Sequence, residues 1–259
     1  MDLGIAGRTA IICASSSRLG GACAQALAEA GCEIIINGRD AGKLDAVAAE
    51  IHNSTGAKVT AVVADIATTE GQAALFNACP EPDILINNNA GPPHRDFLEL
   101  TRQQMIEGVI ANMIVAIELI QKAIAPMIRR RFGRIVNITS VTVKMPQPGL
   151  DLSSGARAGL TAFIAGVARC IASNNVTVNC LLPGAFDTER LRATIEANAK
   201  KQGISSEQAA AERLSIIPAR RFGDPAEFGA ACAFLCSMNA GYITGQNLLI
   251  DGGAFPGTY

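Results

Sequence analysis

The stretch that decides the fold is Thr9-Ala10-Ile11-Ile12-Cys13-Ala14-Ser15-Ser16-Ser17-Arg18-Leu19-Gly20. Its first five residues are an apolar, β-favouring run, and a small-residue segment with a helical pattern follows over 20–30. We therefore predict a buried strand, a serine-rich turn and a helix. Such a helix start offers free backbone N–H groups to an anion, and serines add hydroxyl donors. Taken alone, the segment is weak evidence of a phosphate site, because an ordinary serine-rich turn has the same composition.

The rest of the chain repeats this alternation of strands and helices. We predict further strands at 33–37, 58–64, 83–87, 134–139, 176–182 and 248–250, and helices at 41–52, 69–77, 102–130 and 153–172. Apolar strands separated by helices indicate parallel βαβ units with helices on both faces of the sheet. The predicted fold class is α/β: a single doubly wound Rossmann domain over 1–259, with a seven-stranded, mostly parallel sheet.

Composition excludes several classes of protein. Apolar residues make up 49% of the 259 residues and charged residues 17%, which excludes a disordered chain. A net charge of −1 gives no electrostatic case for nucleic acid or an anionic membrane. No apolar run reaches the ~18 residues needed to span a bilayer, and the stretch 1–4 has no signal-peptide pattern.

The cysteines and histidines indicate no metal site. None of the eight cysteines forms a Cys-x-x-Cys pair, and neither His52 nor His94 has metal-ligand spacing to a cysteine. Cys232 and Cys236 are four apart on one helix, and we interpret them as small buried apolar residues rather than ligands. Unpaired cysteines suit a reducing cytoplasm, so we expect a cytoplasmic protein.

A polar segment of helical pattern, 187–214, is inserted after the sixth predicted strand. Insertions above the carboxyl ends of parallel strands commonly cover a ligand, so we expect a substrate lid. The alternative is a surface excursion with no gating role.

Several short motifs occur in an order and spacing typical of one family. Ala14 and Arg18 stand where its Thr-Gly-x-x-x-Gly-x-Gly pattern has the first two glycines, and Gly20 matches the third. The other matching segments are Asp65-Ile66, Asp83–Pro93 with Asn87-Asn88-Asn89-Ala90, Asn112, Gly133–Ser140, Pro183-Gly184 with Thr188, Gly223–Phe228, and Tyr242–Gln246 followed by Asp251–Gly253. Together they resemble the classical short-chain dehydrogenase/reductase family, and most of all its bacterial 3-oxoacyl-acyl-carrier-protein reductases.

The resemblance implies a nicotinamide dinucleotide cofactor and assigns residues to it. These are Ala14, Ser16, Ser17, Arg18, Leu19, Arg39, Asp65, Ile66, Asn88, Ala90, Arg157, Pro183, Gly184 and Thr188. No acid stands at 37 or 38 to bind a ribose 2′-hydroxyl, whereas Arg39 can pair with a 2′-phosphate, so we predict NADP(H). A solvated Arg39 is the alternative, and Asp40 counts somewhat against NADP(H).

The family pattern breaks at the catalytic pair. The resemblance assigns Asn112 and Ser140 to the catalytic Asn and Ser, but it places Ser153 and Arg157 where the family has Tyr and Lys. In the family, Tyr donates the proton, Lys lowers the pKa of Tyr, Ser polarises the carbonyl and Asn holds a water. Serine is a poor proton donor in place of a phenol, whereas arginine keeps the positive charge. The predicted catalytic residues are therefore Ser140, Asn112, Ser153 and Arg157, with a non-standard donor.

Three residues are candidates for a replacement acid, and each is also readily explained as a solvated loop residue: His94, Lys144 and Asp151.

Three functions stay open. They are an NADP(H)-dependent oxidoreductase acting on a carbonyl or alcohol, a catalytically impaired or non-redox NADP-binding protein, and a lyase or isomerase using the same pocket. The resemblance also implies a homotetramer, with a small molecule as substrate and neither nucleic acid nor membrane as partner.

Overall fold

The computed structural model describes residues 1–16 and 18–258, without the side chain of Arg18. Seven strands form one sheet: β1 Thr9–Ile12, β2 Glu33–Gly38, β3 Val59–Val63, β4 Ile84–Asn87, β5 Gly133–Ile138, β6 Val176–Pro183 and β7 Asn247–Ile250. The helices are α1 Arg18–Glu29, α2 Ala41–Thr55, α3 Thr69–Ala78, α4 Arg102–Val109, α5 Val115–Arg130, α6 Asp151–Ile171, α7 Glu189–Gln202, α8 Ser206–Ser215 and α9 Pro225–Cys236.

The sheet order is β3-β2-β1-β4-β5-β6-β7, and every pairing between these strands is parallel. This confirms the predicted doubly wound α/β domain. The order of the strands reverses between β1 and β4. Ligands of such sheets bind outside the carboxyl ends of the strands at this reversal. The loops after β1, β4, β5 and β6 meet at that edge.

Two apolar layers hold the helices to the sheet. In β1, Ala10 and Ile12 face a layer that includes α1 and α9, while Ile11 faces a second layer that includes α5 and α6. Because successive strand residues point to opposite faces, a continuously apolar strand is buried on both sides. The strands whose carboxyl ends bear the candidate site are therefore held in place by packing on both faces of the sheet.

One predicted helix is interrupted. The expected helix over 102–130 is α4 and α5 joined by a π-helical turn, Ile110–Ile114. By length and composition alone, the stretches 102–130 and 151–174 could cross a membrane, but such helices are equally typical of a soluble core. Both contribute buried side chains to the layer on one face of the sheet.

The insertion after β6 consists of α7 and α8, which pack on each other. Leu191, Ile195 and Ala199 of α7 and Ala209 of α8 form an apolar cluster separate from the two main layers. Thr188 caps α7 and Ser205 caps α8 through side-chain hydrogen bonds to the first turn. The segment is thus a small helical unit attached at the carboxyl end of β6.

Candidate active site

The turn between β1 and α1 is tight and anchored. Ala14 has a φ of 46°, the left-handed region that usually requires glycine. A β-carbon on Gly20 would lie 2.7 Å from the carbonyl oxygen of Ala14, so only glycine allows this approach. The hydroxyl of buried Ser15 donates to the carbonyls of Ile12 and Asn37. The turn therefore presents the backbone N–H groups of the first turn of α1 at the sheet edge.

Predicted cofactor residues of this turn lie at that edge. Ser16 Oγ would be 2.9 Å from a β-carbon on Gly38, the last residue of β2, and Leu19 packs on the core beneath. Ser17 lies outside the described residues, and so does the side chain of Arg18. The tight turn, the helix start and the close approach of Gly38 suit a dinucleotide pyrophosphate.

Arg39 and Asp65 extend the site along the edge. Arg39 Nη1 lies 3.8 Å from a carboxylate oxygen of Asp65, and both side chains are substantially exposed. Asp40 is the N-cap of α2, where its carboxylate accepts a hydrogen bond from the backbone of Lys43. Its carboxylate is therefore engaged in capping, which weakens the argument from Asp40 against NADP(H). Ile66 is buried beside them.

Three consecutive asparagines bind the loops together. Asn87 Nδ2 donates to Asn137 Oδ1 on β5 at 2.9 Å, and Asn88 Nδ2 donates to the carbonyl of Ala14 at 3.2 Å. Asn89 Nδ2 donates to the carbonyl of Ala111 in the π-helical turn at 3.1 Å. Each amide thus fixes a different part of the edge, and Ala90 follows at the mouth of the site.

Asn112 is buried within the π-helical turn. Its Nδ2 donates to the carbonyl of Gly108, and its Oδ1 accepts no hydrogen bond within the described part of the chain. A cavity of about 20 Å³ adjoins it, lined also by Asn87 and Arg157. The Oδ1 of Asn87 is likewise unpaired among the described residues. A cavity of this size accommodates one water molecule, and these two unpaired amide oxygens on an otherwise largely apolar wall could accept from it.

Ser140 follows β5 and caps a short 3₁₀ turn over 141–143. Its Oγ accepts from the backbone N–H of Thr142 at 3.1 Å and from Thr142 Oγ1 at 3.0 Å. Both hydrogen bonds use Ser140 Oγ as acceptor, so its own proton is available to donate to a ligand. Thr142 was not singled out by the sequence, which gives no signal for this contact.

Ser153 and Arg157 lie one turn apart on α6 and are both buried. Arg157 Nε donates to Ser153 Oγ at 3.1 Å, and Nη1 donates to the carbonyls of Ile138 at 2.7 Å and Thr139 at 3.1 Å. Nη2 lies 3.4 Å from the carbonyl of Asn89. Arg157 therefore joins α6 to the ends of β4 and β5, next to Ser140.

The charge of Arg157 is buried without an acid. Only 8% of its surface is exposed, and within the described residues its hydrogen-bond partners are neutral oxygens. Burial and, second, the charge of Arg190 lower the pKa of Arg157 to about 10, so it stays cationic at neutral pH. Arg190, in the first turn of α7, was not among the predicted site residues. Its position two residues after Thr188 is the one feature of the sequence that could have indicated a place near the site.

The loop after β6 completes the edge. The N–H of Gly184 donates to the carbonyl of Ile250, and a β-carbon on Gly184 would lie 2.7 Å from Asp251 Cα. Pro183 ends β6, and Thr188 caps α7. The predicted Pro183, Gly184 and Thr188 thus lie at the end of β6 and in the loop that follows it, next to β5.

The three candidate acids have ordinary structural surroundings. His94 is exposed and its ring lies against Gly149, Asp151 accepts from the backbone of Gly149, and Lys144 lies 5.8 Å from the ring centre of Phe255. Within the described residues, none of the three makes a hydrogen bond or ion pair with Ser140 or Ser153.

Tyr242, the tyrosine that the structure describes, is distant from the carboxyl ends of the strands where the candidate site lies. Tyr242 is fully exposed, and its neighbour Gly241 lies near Arg134 at the amino end of β5, opposite the site. Tyr259 lies outside the described residues.

The cysteines do not form a metal site in the described residues, where no group of three or more potential ligands is found. Burial raises the pKa of Cys13 and Cys180 to about 12, which keeps these thiols protonated. Cys232 and Cys236 are fully buried between α9 and its neighbours, as the apolar interpretation expects.

Fold and site together define a doubly wound α/β domain of Rossmann type with its polar loops at the strand-order reversal. The family model described as enoyl-(acyl carrier protein) reductase matches residues 13–254. The NADPH-dependent reductase BacG of Bacillus subtilis is 32% identical over 252 residues, covering 95% of this chain and 97% of that protein. The 3-oxoacyl-[acyl-carrier-protein] reductase FabG of Aquifex aeolicus is 31% identical, covering 98% and 100%.

Solved structures agree with this likeness. The L-sorbose reductase from Gluconobacter frateurii, complexed with NADPH and L-sorbose, superposes with a TM-score of 0.94 at 27% identity and full coverage of both chains. The chain belongs to the short-chain dehydrogenase/reductase family.

Proposed function

We propose that the protein is an NADP(H)-dependent oxidoreductase that interconverts a carbonyl compound and an alcohol, with an altered proton donor. The observation that carries this proposal is the contact of Arg157 with Ser153 and with the carbonyl of Thr139, the residue before Ser140. It brings the proposed catalytic residues of α6 and β5 together at the edge where a nicotinamide would bind.

The proposed cofactor site uses the turn after β1 and the loops beside it. Ala14, Ser16 and Leu19, with Ser17 and Arg18, would hold the pyrophosphate, and Asp65, Ile66, Asn88 and Ala90 the adenosine side and ribose. Pro183, Gly184 and Thr188 would face the nicotinamide, and Arg157 its ribose. Exposed Arg39 would pair with the 2′-phosphate, in keeping with relatives named for NADPH. The cofactor supplies hydride exchange with the substrate carbon.

Ser153 and Arg157 take the positions of the family's Tyr and Lys in this proposal. Serine's hydroxyl is far less acidic than phenol's, so the forming alkoxide lacks an efficient acid. General acid catalysis is typically worth about 10²–10⁴-fold in rate. We therefore expect slow reduction of ordinary ketones, with Ser140 donating a hydrogen bond to the carbonyl oxygen.

The proposed route for the proton runs through the cavity beside Asn112. Its unpaired Oδ1 can accept from a water, and the cationic Arg157 on the same cavity wall favours loss of a proton from that water. Such a relay requires no side-chain phenol.

The buried charge of Arg157 and the missing phenol also suit a second function, a catalytically impaired or non-redox NADP-binding protein. It differs from the first in predicting cofactor binding without turnover.

We further propose a cytoplasmic homotetramer in which α4 to α6 pair across two-fold axes. Exposed Met105, Ile106 and Phe163 on these helices support this arrangement. The segment 187–214 is proposed as the lid.

The experiment is to load purified protein with NADPH and follow its oxidation with a panel of ketones and acyl thioesters. Slow but measurable turnover of one substrate class supports the oxidoreductase. Tight NADPH binding with no turnover across the panel supports the second function. Failure to bind NADPH contradicts both.

A further inference from the structure

Arg190 and the hydrogen-bonded pair of Ser153 and Arg157 both approach Gly91 at the site. A β-carbon on Gly91 would lie 3.4 Å from both Nη atoms of Arg190 and 3.7 Å from Ser153 Oγ. Arg157 Nε is in turn 3.1 Å from that same hydroxyl. The missing side chain of Gly91 therefore leaves a space with Arg190 on one side and the Ser153–Arg157 pair on another.

No acid neutralises these two cations in the described part of the chain. Arg157 is held by neutral oxygens, and Arg190 makes no ion pair among the described residues. Asp187, the nearest acid before α7, is held by Arg192 through two hydrogen bonds of 2.9 Å. Glu189 is exposed, and among the described residues no acid shifts the pKa of Arg157.

The charge of Arg190 acts against that of Arg157, and an anion bound between them would relieve this repulsion. The guanidinium of Arg190 donates no hydrogen bond to the described residues, and its planar fork matches the two oxygens of a carboxylate. The phosphates of a dinucleotide have their own binding turn after β1. The anion expected beside Ser153 and Ser140 therefore belongs to the reacting molecule.

We propose that Arg190 is the specificity-determining residue for an anionic substrate, a short oxo acid whose carboxylate is bound between Arg190 and Arg157. This rests on the proposed function. Because Arg157 contacts the Ser153 hydroxyl directly and Arg190 lies across Gly91 from it, the carboxylate would be close to the reacting carbonyl, as in a 2-oxo or 3-oxo acid. Arg190 lies in the first turn of α7, near the start of the proposed lid, so the substrate's charge would also hold α7 in place.

The test is calorimetric binding to NADP⁺-saturated protein. The probes are 2-oxobutanoate, 2-oxo-octanoate and acetoacetate, each beside its methyl ester. Wild-type protein should bind the acids about 10-fold or more tightly than the esters, as a charge-assisted pair predicts. Arg190→Gln should lose most of this preference. Arg192→Gln, a matched change on the same helix at a residue already paired with Asp187, should retain it.

Equal binding of acids and esters by the wild type would overturn the proposal, and so would a preference that survives Arg190→Gln. A preference seen only without cofactor and abolished by NADP⁺ would assign the arginines to a cofactor phosphate, which also overturns it. The readout needs no hydride transfer. An inactive protein that binds oxo acids through Arg190 would refute the proposed activity and leave the anion site standing.

Discussion

Arg157 donates a hydrogen bond from Nε to the hydroxyl of Ser153, one turn earlier on α6, at a distance of 3.1 Å. Side chains four apart on a helix share a face, so the two residues meet directly. Both are buried, and the short serine leaves the room in which the guanidinium reaches the carbonyls of β5. The small size of the Ser153 side chain and the position of the Arg157 guanidinium therefore depend on each other.

This dependence predicts that Ser153→Tyr alone destabilises the protein. A phenol ring would enter space that Arg157 now fills, and overpacking of this kind costs about 1–3 kcal/mol. Thermal unfolding of Ser153→Tyr and of the double variant Ser153→Tyr/Arg157→Lys measures the difference. The double variant should recover part of the loss, and a single variant as stable as wild type would show that the two positions are not coupled.

Arg39 is predicted to select NADP(H) over NAD(H). A guanidinium–phosphate pair contributes about 1.5–3 kcal/mol, or roughly 10- to 150-fold in affinity. Arg39→Ala should weaken NADP(H) by this factor and leave NAD(H) nearly unchanged in calorimetric titrations. Lys58→Ala is the control, since Lys58 pairs with Glu33 at the amino ends of β3 and β2, away from the candidate site. Equal affinity of the wild type for both cofactors would reject the assignment.

Gly20 is predicted to be intolerant of any side chain. An added β-carbon would lie 2.7 Å from the carbonyl oxygen of Ala14 and 2.9 Å from Ser15 Cα, and both are backbone atoms that cannot swing aside. Gly20→Ala should cost about 1–3 kcal/mol and weaken NADPH binding. Gly155→Ala on α6, where a β-carbon meets nothing within 4 Å, should be neutral or stabilising by up to about 1 kcal/mol. Similar melting temperatures for the two variants would contradict this account of the turn.

Thiol reactivity should be confined to one cysteine. Of the eight cysteines only Cys170 is exposed, and burial raises the pKa of Cys13 and Cys180 to about 12. A raised pKa keeps the thiol protonated below that pH, and it is the thiolate that reacts. Native protein at pH 8 should therefore show at most one fast-reacting thiol with a disulfide reagent, and Cys170→Ser none. Two or more fast thiols would indicate that the core opens readily.

The strands were predictable because continuously apolar, β-branched runs leave few alternatives. β2 and β6 begin at the predicted Glu33 and Val176, and each extends one residue past its predicted end. The break at Ile110–Ile114 was not predictable, since a π-helical turn depends on how the helix packs and the local composition continues to favour helix.

The sequence predicted the loops of the candidate site but not the contacts within it. Asn112, Ser140, Ser153 and Arg157 were predicted from the resemblance of the surrounding motifs to the family pattern. The direction of the Arg157 side chain, the Thr142 contact and the approach of Arg190 to Gly91 depend on how separate loops fold toward one edge. Spacing along the chain carries no information about such contacts.

The most direct test of the central claim, a reductase site that lacks its proton donor, is the rate of ketone reduction by Ser153→Tyr/Arg157→Lys with NADPH. Restoring a phenol with a lysine one turn later should raise the rate by ~10²-fold or more over wild type, and adding Ser140→Ala should remove that gain. A folded double variant that binds NADPH but reduces ketones no faster than wild type would contradict the account.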